Sequence, residues 1–253
     1  GARWTIHNGW TDQGAYPAGT RPHYIRRNAV SVNDLVADDG ANVSAIEQVG
    51  RQNEWQNEVA LLPSAAFAAD SNHRGLAVVY RSGGNYYWRT FRRSDRVEAK
   101  APVLVGAGVD GAPDCCYVNH LWKWVVAIPA TSGQVALYTH DWNDAEAVDR
   151  FTLARTFDNL SYPTMAWNQS NLFLVGRNTA TAQWESRRLK LSDLSDDLAA
   201  VSIGSGSDNR GVLVADRPIG ILKFMVSLGG MDVREYHSRD AGKTWSDAGS
   251  FTV

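Results

Sequence analysis

The chain has 253 residues, 44% of them apolar and 21% charged, enough for one large domain with its own core and too apolar for a disordered segment. Lys plus Arg number 25 against 27 Asp plus Glu, a formal net charge of −2; no basic tract stands out, so nucleic acid is not an expected partner. The longest apolar runs, such as 124–128, have the length of a strand and fall far short of a membrane-spanning helix, so membrane insertion is not expected.

In chain order, residues 3–6 (Arg-Trp-Thr-Ile) read as a first short strand, followed by Tyr16 and Pro17 at the head of another. Residues 28–32 then open a series of five apolar runs, continued at 76–80, 124–128, 172–176 and 222–226, whose starts lie 48, 48, 48 and 50 residues apart. Most of these runs are apolar at every position, the pattern of a strand covered on both faces. A second series precedes the later four at 64–67, 114–117, 164–167 and 212–215, and Pro63, Pro113 and Pro163 stand directly before three of them. Proline suits the first residue of a strand, where its missing N–H is not needed by the ladder.

Each central run is followed by a turn rich in Gly, Asn, Asp, Ser or Thr, at 38–40, 82–85, 131–133, 178–181 and 229–230. Gly and Asn supply the positive φ that tight hairpins need. More polar strands follow at 87–91, 135–138, 185–189 and 233–236, ending in acidic turns at Asp95, Asp141, Asp193 and Asp240. Helical signals are nearly absent, and 192–200 reads as a loop. The two cysteines, Cys115 and Cys116, are adjacent; neighbours on a strand point to opposite faces, so two reduced, packed thiols are expected rather than a bridge.

A repeat of about 48–50 residues carrying four strands predicts an all-β fold, a five-bladed β-propeller of four-stranded antiparallel sheets, in which closing the ring removes free sheet edges. The expected single domain covers residues 1–253, with blades at 13–62, 63–112, 113–162, 163–210 and 211–253 and the ring closed either by 3–11 or by 250–253 alone.

The last acidic turn reads Ser238-Arg239-Asp240-Ala241-Gly242-Lys243-Thr244-Trp245. It matches Ser-x-Asp-x-Gly-x-Thr-Trp, and here the chain resembles the Asp-box (BNR-repeat) propellers of sialidases and phage endosialidases. In physical terms the Asp carboxylate and the hydroxyls cap backbone N–H groups, Gly takes the left-handed position and Trp packs under the turn. Ser238, Asp240, Gly242, Thr244 and Trp245 are therefore read as structural, on the face opposite the ligand site. The earlier turns keep the acid and lose the Trp.

Loops entering each first strand, and hairpins between second and third strands, are expected on one face around the mouth of the channel. They bring together Asp12, Tyr16, Arg21, Asp39, Arg81, Tyr86, Asp110, Asn159, Tyr162, Arg177, Asp208 and Arg210, with Asp114 the clearest acid on an inner strand. Carboxylates, amides, guanidinium groups and aromatic rings suit a polyhydroxylated or acidic sugar, which they orient by hydrogen bonds and by stacking. No phosphate-cradling Gly loop, Gly-x-Ser-x-Gly elbow or zinc spacing is present, so neither a cofactor nor a metal is expected.

The leading expectation is a glycan-recognising domain, the receptor-binding or adhesive part of a phage or bacterial surface protein. It would be extracellular or virion-associated and assembled into a larger protein. The alternatives are a glycoside hydrolase and a protein-interaction scaffold. The sialidase resemblance would imply an arginine set, for which Arg21, Arg210 and Arg234 are candidates, and a Tyr–Glu nucleophile pair, for which Tyr236 and Glu185 are candidates. Sialidase propellers have six blades, however, and no flanking motif secures these residues.

Overall fold

The computed structural model describes residues 2–6, 10–15, 21–24, 33–38, 41–49, 54–63, 65–71, 75–92, 98–118, 121–141, 150–206, 211–216, 221–229 and 232–252, with side chains from residue 41 onward except those of 44–60 and a few single positions. The fold is all-β. Strands β1 (Ala2–Ile6) and β2 (Trp10–Ala15) pair with each other in a two-stranded sheet. The remaining strands form four-stranded antiparallel sheets, each from consecutive strands in sequence order. The first comprises β3 (Arg21–Tyr24), β4 (Asn33–Asp38), β5 (Asn42–Val49) and β6 (Glu54–Pro63), and the second β7 (Phe67–Ser71), β8 (Gly75–Ser82), β9 (Asn85–Arg92) and β10 (Glu98–Ala107). The third comprises β11 (Asp114–Val118), β12 (Lys123–Thr131), β13 (Gln134–Asp141) and β14 (Thr152–Asp158). The fourth comprises β15 (Leu160–Trp167), β16 (Asn171–Asn178), β17 (Gln183–Lys190) and β18 (Asp196–Ser205), and the fifth β19 (Val212–Asp216), β20 (Ile221–Gly229), β21 (Asp232–Ser238) and β22 (Ser246–Thr252).

The strands differ from the sequence reading at 28–38 and 192–200 and choose between its two alternatives for the last sheet. Residues 28–32 lie outside the described residues, and the second strand of the first sheet is β4 instead. The acidic stretch 192–200 is a turn running into β18. The fifth sheet takes its fourth strand from β22, so residues 3–6 pair with β2 and do not complete it.

The first strands β3, β7, β11, β15 and β19 lie next to one another in succession, which makes them the inner strands. The apolar second strands sit between neighbouring sheets and bury both faces. On β12, Val125 and Ala127 face a cluster with Leu172, Leu174 and Met165, while Trp124, Val126 and Ile128 face one with Ala77, Val79 and Trp88. On β16, Leu172 and Leu174 join the former, and Phe173 and Val175 join a cluster with Leu222, Phe224 and Val226. Full burial of each such side chain contributes about 1.5–3 kcal/mol, so the sandwiched runs dominate the stability of the stack. Cys115 and Cys116 are buried thiols not joined by a disulfide, and they point into the two different clusters, as the alternation requires.

Polar groups tie successive inner strands. The buried Asp70 carboxylate accepts from the Tyr117 N–H at 2.8 Å, the Asp114 carboxylate from the Met165 N–H, and the Thr164 hydroxyl from the Leu213 N–H at 3.2 Å. His140, next to the acidic turn at Asp141, is a core residue, its ring stacked 5.3 Å from that of Trp88 and tilted 5.1 Å from that of Phe151.

The turn 238–245 is built as its sequence demands. Ser238 Oγ donates to Asp240 Oδ1 at 2.8 Å and accepts from the Gly242 N–H at 2.8 Å, while the Thr244 N–H and hydroxyl reach Asp240 at 2.9 and 2.6 Å. Gly242 has φ +81°, and Trp245 packs against the cluster of the fourth and fifth sheets. Burial pushes the Asp240 pKa upward, but the bonds from Thr244 and Ser238 outweigh it and hold the carboxyl at about 2.

Candidate functional site: a cleft between the third and fourth sheets

At one end of the third and fourth sheets the loops are joined by backbone bonds. The Gly108 N–H donates to the Gly84 carbonyl at 3.1 Å, and Val109 to the Pro129 carbonyl at 3.1 Å. One repeat on, Leu160 donates to the Gly133 carbonyl at 2.9 Å, and Thr179 to the Asn159 carbonyl at 3.0 Å. Each loop entering an inner strand is thus held between the hairpin of the preceding sheet and the hairpin of its own. The expected sharing of one face by entering loops and second-to-third-strand hairpins holds for these segments.

Between the third and fourth sheets this arrangement leaves a cleft of about 510 Å³, within the size range of small-molecule sites. Val109, Pro129 and Leu160 give it apolar surface; Asp110, Gln134, Tyr162 and Arg177 give it polar groups. Asp110 is 94% exposed and forms an ion pair with Arg81. An exposed pair of this kind adds at most about 1 kcal/mol, so its effect is to orient the carboxylate. Gln134 is fixed at both ends: Oε1 accepts from the Thr131 hydroxyl at 3.1 Å and Nε2 donates to Asp158 at 2.6 Å. Asn159 and Tyr162 carry positive φ values of +55° and +52°, a costly backbone for residues with a Cβ and one that concentrates at binding sites.

Tyr86 sits beneath the loop, fully buried, with its hydroxyl 2.8 Å from both the Val109 and the Gly111 carbonyls. Burial, outweighing the nearby Arg81 charge, pushes its phenol up to about 12, so at neutral pH it remains a hydrogen-bond donor.

Of the residues singled out in the sequence, Asp110, Tyr162 and Arg177 line this one cleft, Arg81 stands beside Asp110, and Asn159 adjoins it. Asp114 does not. It is 2% exposed, and its carboxylate bonds the Cys115 and Met165 N–H groups, because an inner-strand acid at this position reaches the next sheet before it reaches solvent. Tyr86 likewise supports the loop from below and is not among the residues lining the cleft. Asp12 and Arg21 fall on β2 and β3, where only the backbone is described; Tyr16, Asp39, Asp208 and Arg210 lie outside the described residues. Gln134 was missed: the signal was its place directly after the 131–133 turn, which puts it on the same rim as the entering loops.

The hydrolase candidates do not form a pair. The Tyr236 hydroxyl donates to the Ser205 carbonyl at 2.8 Å, Glu185 accepts from Asn178 at 2.9 Å and from Arg187 at 2.6 and 2.9 Å, and Arg234 lies 3.8 Å from Asp247 on the neighbouring outer strand. Among the described residues no group of His, Cys, Asp and Glu is arranged to hold a metal ion.

No family model and no curated protein sequence matches the chain. Its fold does match solved structures. A Trypanosoma rangeli sialidase in complex with 2,3-difluorosialic acid aligns over 100% of this chain and 51% of its own, with TM-score 0.63 and 11% identity. A GH43 β-1,3-galactosidase aligns over 75% of this chain and 47% of its own, with TM-score 0.51 and 13% identity. An exo-β-1,3-galactanase from Phanerochaete chrysosporium aligns over 75% and 50%, with TM-score 0.52 and 8% identity. The chain thus spans about half the length of each of these structures. Its stacked four-stranded antiparallel sheets are those of a β-propeller, the fold it shares with sialidase and family-43 glycoside hydrolase structures.

Proposed function

We infer that this propeller recognises a glycan, bound in the cleft between its third and fourth sheets. The observation that carries this reading is the convergence on one cleft of Asp110, Gln134, Tyr162 and Arg177, from four separate segments of the chain. A pyranose needs hydrogen-bonding groups around its rim and an apolar surface against its C–H face, and the exposed Val109 in the lining of the cleft supplies the latter. The carbohydrate-acting proteins named among the similar structures agree with it.

The finer reading is a single domain over residues 1–253 with five blades, supported by five consecutive four-stranded sheets, and membership of the Asp-box group, supported by the bond pattern of the 238–245 turn. The resemblance to sialidases and phage endosialidases supports a receptor-binding or adhesive role in a phage or bacterial surface assembly, extracellular or virion-associated. The test is titration of the protein against a panel of immobilised neutral and acidic glycans. Arg177→Ala and Tyr162→Leu should each weaken binding by roughly ten-fold, about 1.4 kcal/mol. Absence of binding to every sugar would sink the reading.

A glycoside hydrolase is the second reading, favoured by the enzymes among the similar structures and by the exposed Asp110 carboxylate in the cleft. Hydrolysis usually needs two carboxylates about 5 to 9.5 Å apart. A release assay on sialosides and bacterial polysaccharides separates the two, since recognition alone gives no turnover.

A further inference from the structure

Resting on the glycan reading above, we propose that the cleft selects a neutral, hydroxyl-rich sugar over a carboxylated or sulfated one, with Asp110 as the specificity-determining acceptor and Arg81 and Tyr86 as its positioning residues. The charges around the cleft carry the first half. Among the described residues that line it, Arg177 is the cation and Asp110 the acid; the second guanidinium, Arg81, is spent on Asp110, and Gln134 brings the Asp158 carboxylate to the edge. Among the described residues, two carboxylates thus face two guanidinium groups, with no surplus of positive charge for an anionic ligand. An added carboxylate or sulfate would enter beside the 94% exposed Asp110 carboxylate and be repelled by it.

Hydrogen-bond chemistry carries the second half. Arg81 engages one Asp110 oxygen, leaving acceptor capacity on an exposed carboxylate, which accepts only. Gln134, with Oε1 taking the Thr131 hydroxyl and Nε2 donating to Asp158, retains one further donor and one further acceptor site. A hydroxyl donates and accepts at once, so neighbouring sugar hydroxyls satisfy both residues; a carboxylate satisfies neither Asp110 nor the amide oxygen.

The backbone carrying Asp110 is held from below. The buried Tyr86 hydroxyl lies 2.8 Å from the carbonyls of Val109 and Gly111, the residues on either side of Asp110. An exposed carboxylate is thereby presented from a fixed peptide, and little ordering cost is left for binding.

The experiment uses the whole chain and matched pairs of probes: neutral galactose-, glucose-, mannose- and N-acetylhexosamine-terminated oligosaccharides, and the same oligosaccharides bearing a sialic acid, a uronate or a sulfate. At least one neutral probe should bind at least ten-fold more tightly than its acidic partners. Asp110→Asn should weaken the neutral probe ten-fold or more and narrow that preference. Arg81→Gln and Tyr86→Phe, which remove the supports, should also lower the neutral-to-acidic ratio, whereas a lesion that merely lowers the folded fraction would scale both probes alike. Tighter binding of the acidic partner, or neutral binding unchanged in Asp110→Asn, overturns this proposal and leaves the glycan reading standing. Binding of no sugar overturns both.

Discussion

Asp114, the first residue of β11, accepts a hydrogen bond from the backbone N–H of Met165 on β15, so that one buried carboxylate joins the inner strands of two successive sheets. Thr164 does the same for Leu213 on β19. The two acceptors occupy the same place in the repeat, directly after Pro113 and Pro163, and each takes a backbone N–H of the following inner strand, Met165 of β15 and Leu213 of β19. Burying a polar group is favourable only when it is bonded, and here the bond also sets the register between neighbouring sheets.

Removing this acceptor should be costly. Asp114→Ala strips a charged partner from the Cys115 and Met165 N–H groups in a site 2% exposed, and a loss of about 2–4 kcal/mol is expected. Urea unfolding followed by tryptophan fluorescence measures it. Glycan binding per folded molecule should stay unchanged, which separates a structural carboxylate from a ligand contact.

The 238–245 turn makes stability depend on acid. The Asp240 carboxyl is held at about 2, below its ordinary 3.8. A depressed folded pKa means that the unfolded chain takes up a proton first, so the stabilisation is present in full above pH 4 and is lost as the pH falls towards 2. In Asp240→Asn the curve of stability against pH should be flatter over that window. An unchanged curve would show that the turn contributes nothing through this group.

Close approach between sheets predicts a second fragile point. A Cβ added at Gly204 on β18 would lie 2.6 Å from the hydroxyl oxygen of Tyr236 on β21, and Gly204 has φ +154°. Gly106 on β10 stands in the same relation to Tyr138 on β13, at 2.5 Å. Gly204→Ala should cost about 1–3 kcal/mol through displacement of the ring, read as a lowered Tm.

The thiols offer a test of the core. Cys115 and Cys116 are buried and unbridged, so a disulfide-exchange reagent should leave both untouched in native buffer and titrate two thiols in denaturant. Rapid reaction of either in the native protein would contradict the burial of β11.

Strand order was legible because it is a local matter. The runs at 76–80, 124–128 and 172–176 are apolar at every position, and each became a strand covered on both faces, as burial in a sheet stack requires. The outer strands β14, β18 and β22 were much less visible, because their exposed positions impose little pattern. Adjacent Cys115 and Cys116 pointing to opposite clusters also followed from the two-residue period alone.

The candidate site was legible only in part. Asp110, Tyr162 and Arg177 could be named from their loops, since turn residues announce the end of the sheet on which they fall. That Asp114 points inward, that Tyr86 supports the loop from below and that His140 is stacked in the core were not readable, because each depends on how far one sheet stands from the next. The amino-acid order by itself determined the repeat, the strands and their shared face, through side-chain periodicity and turn chemistry acting over a few residues. Only the tertiary structure decided which polar groups meet across a cleft and which are consumed between sheets, because those contacts join residues 23 to 51 positions apart and are set by the packing of whole sheets.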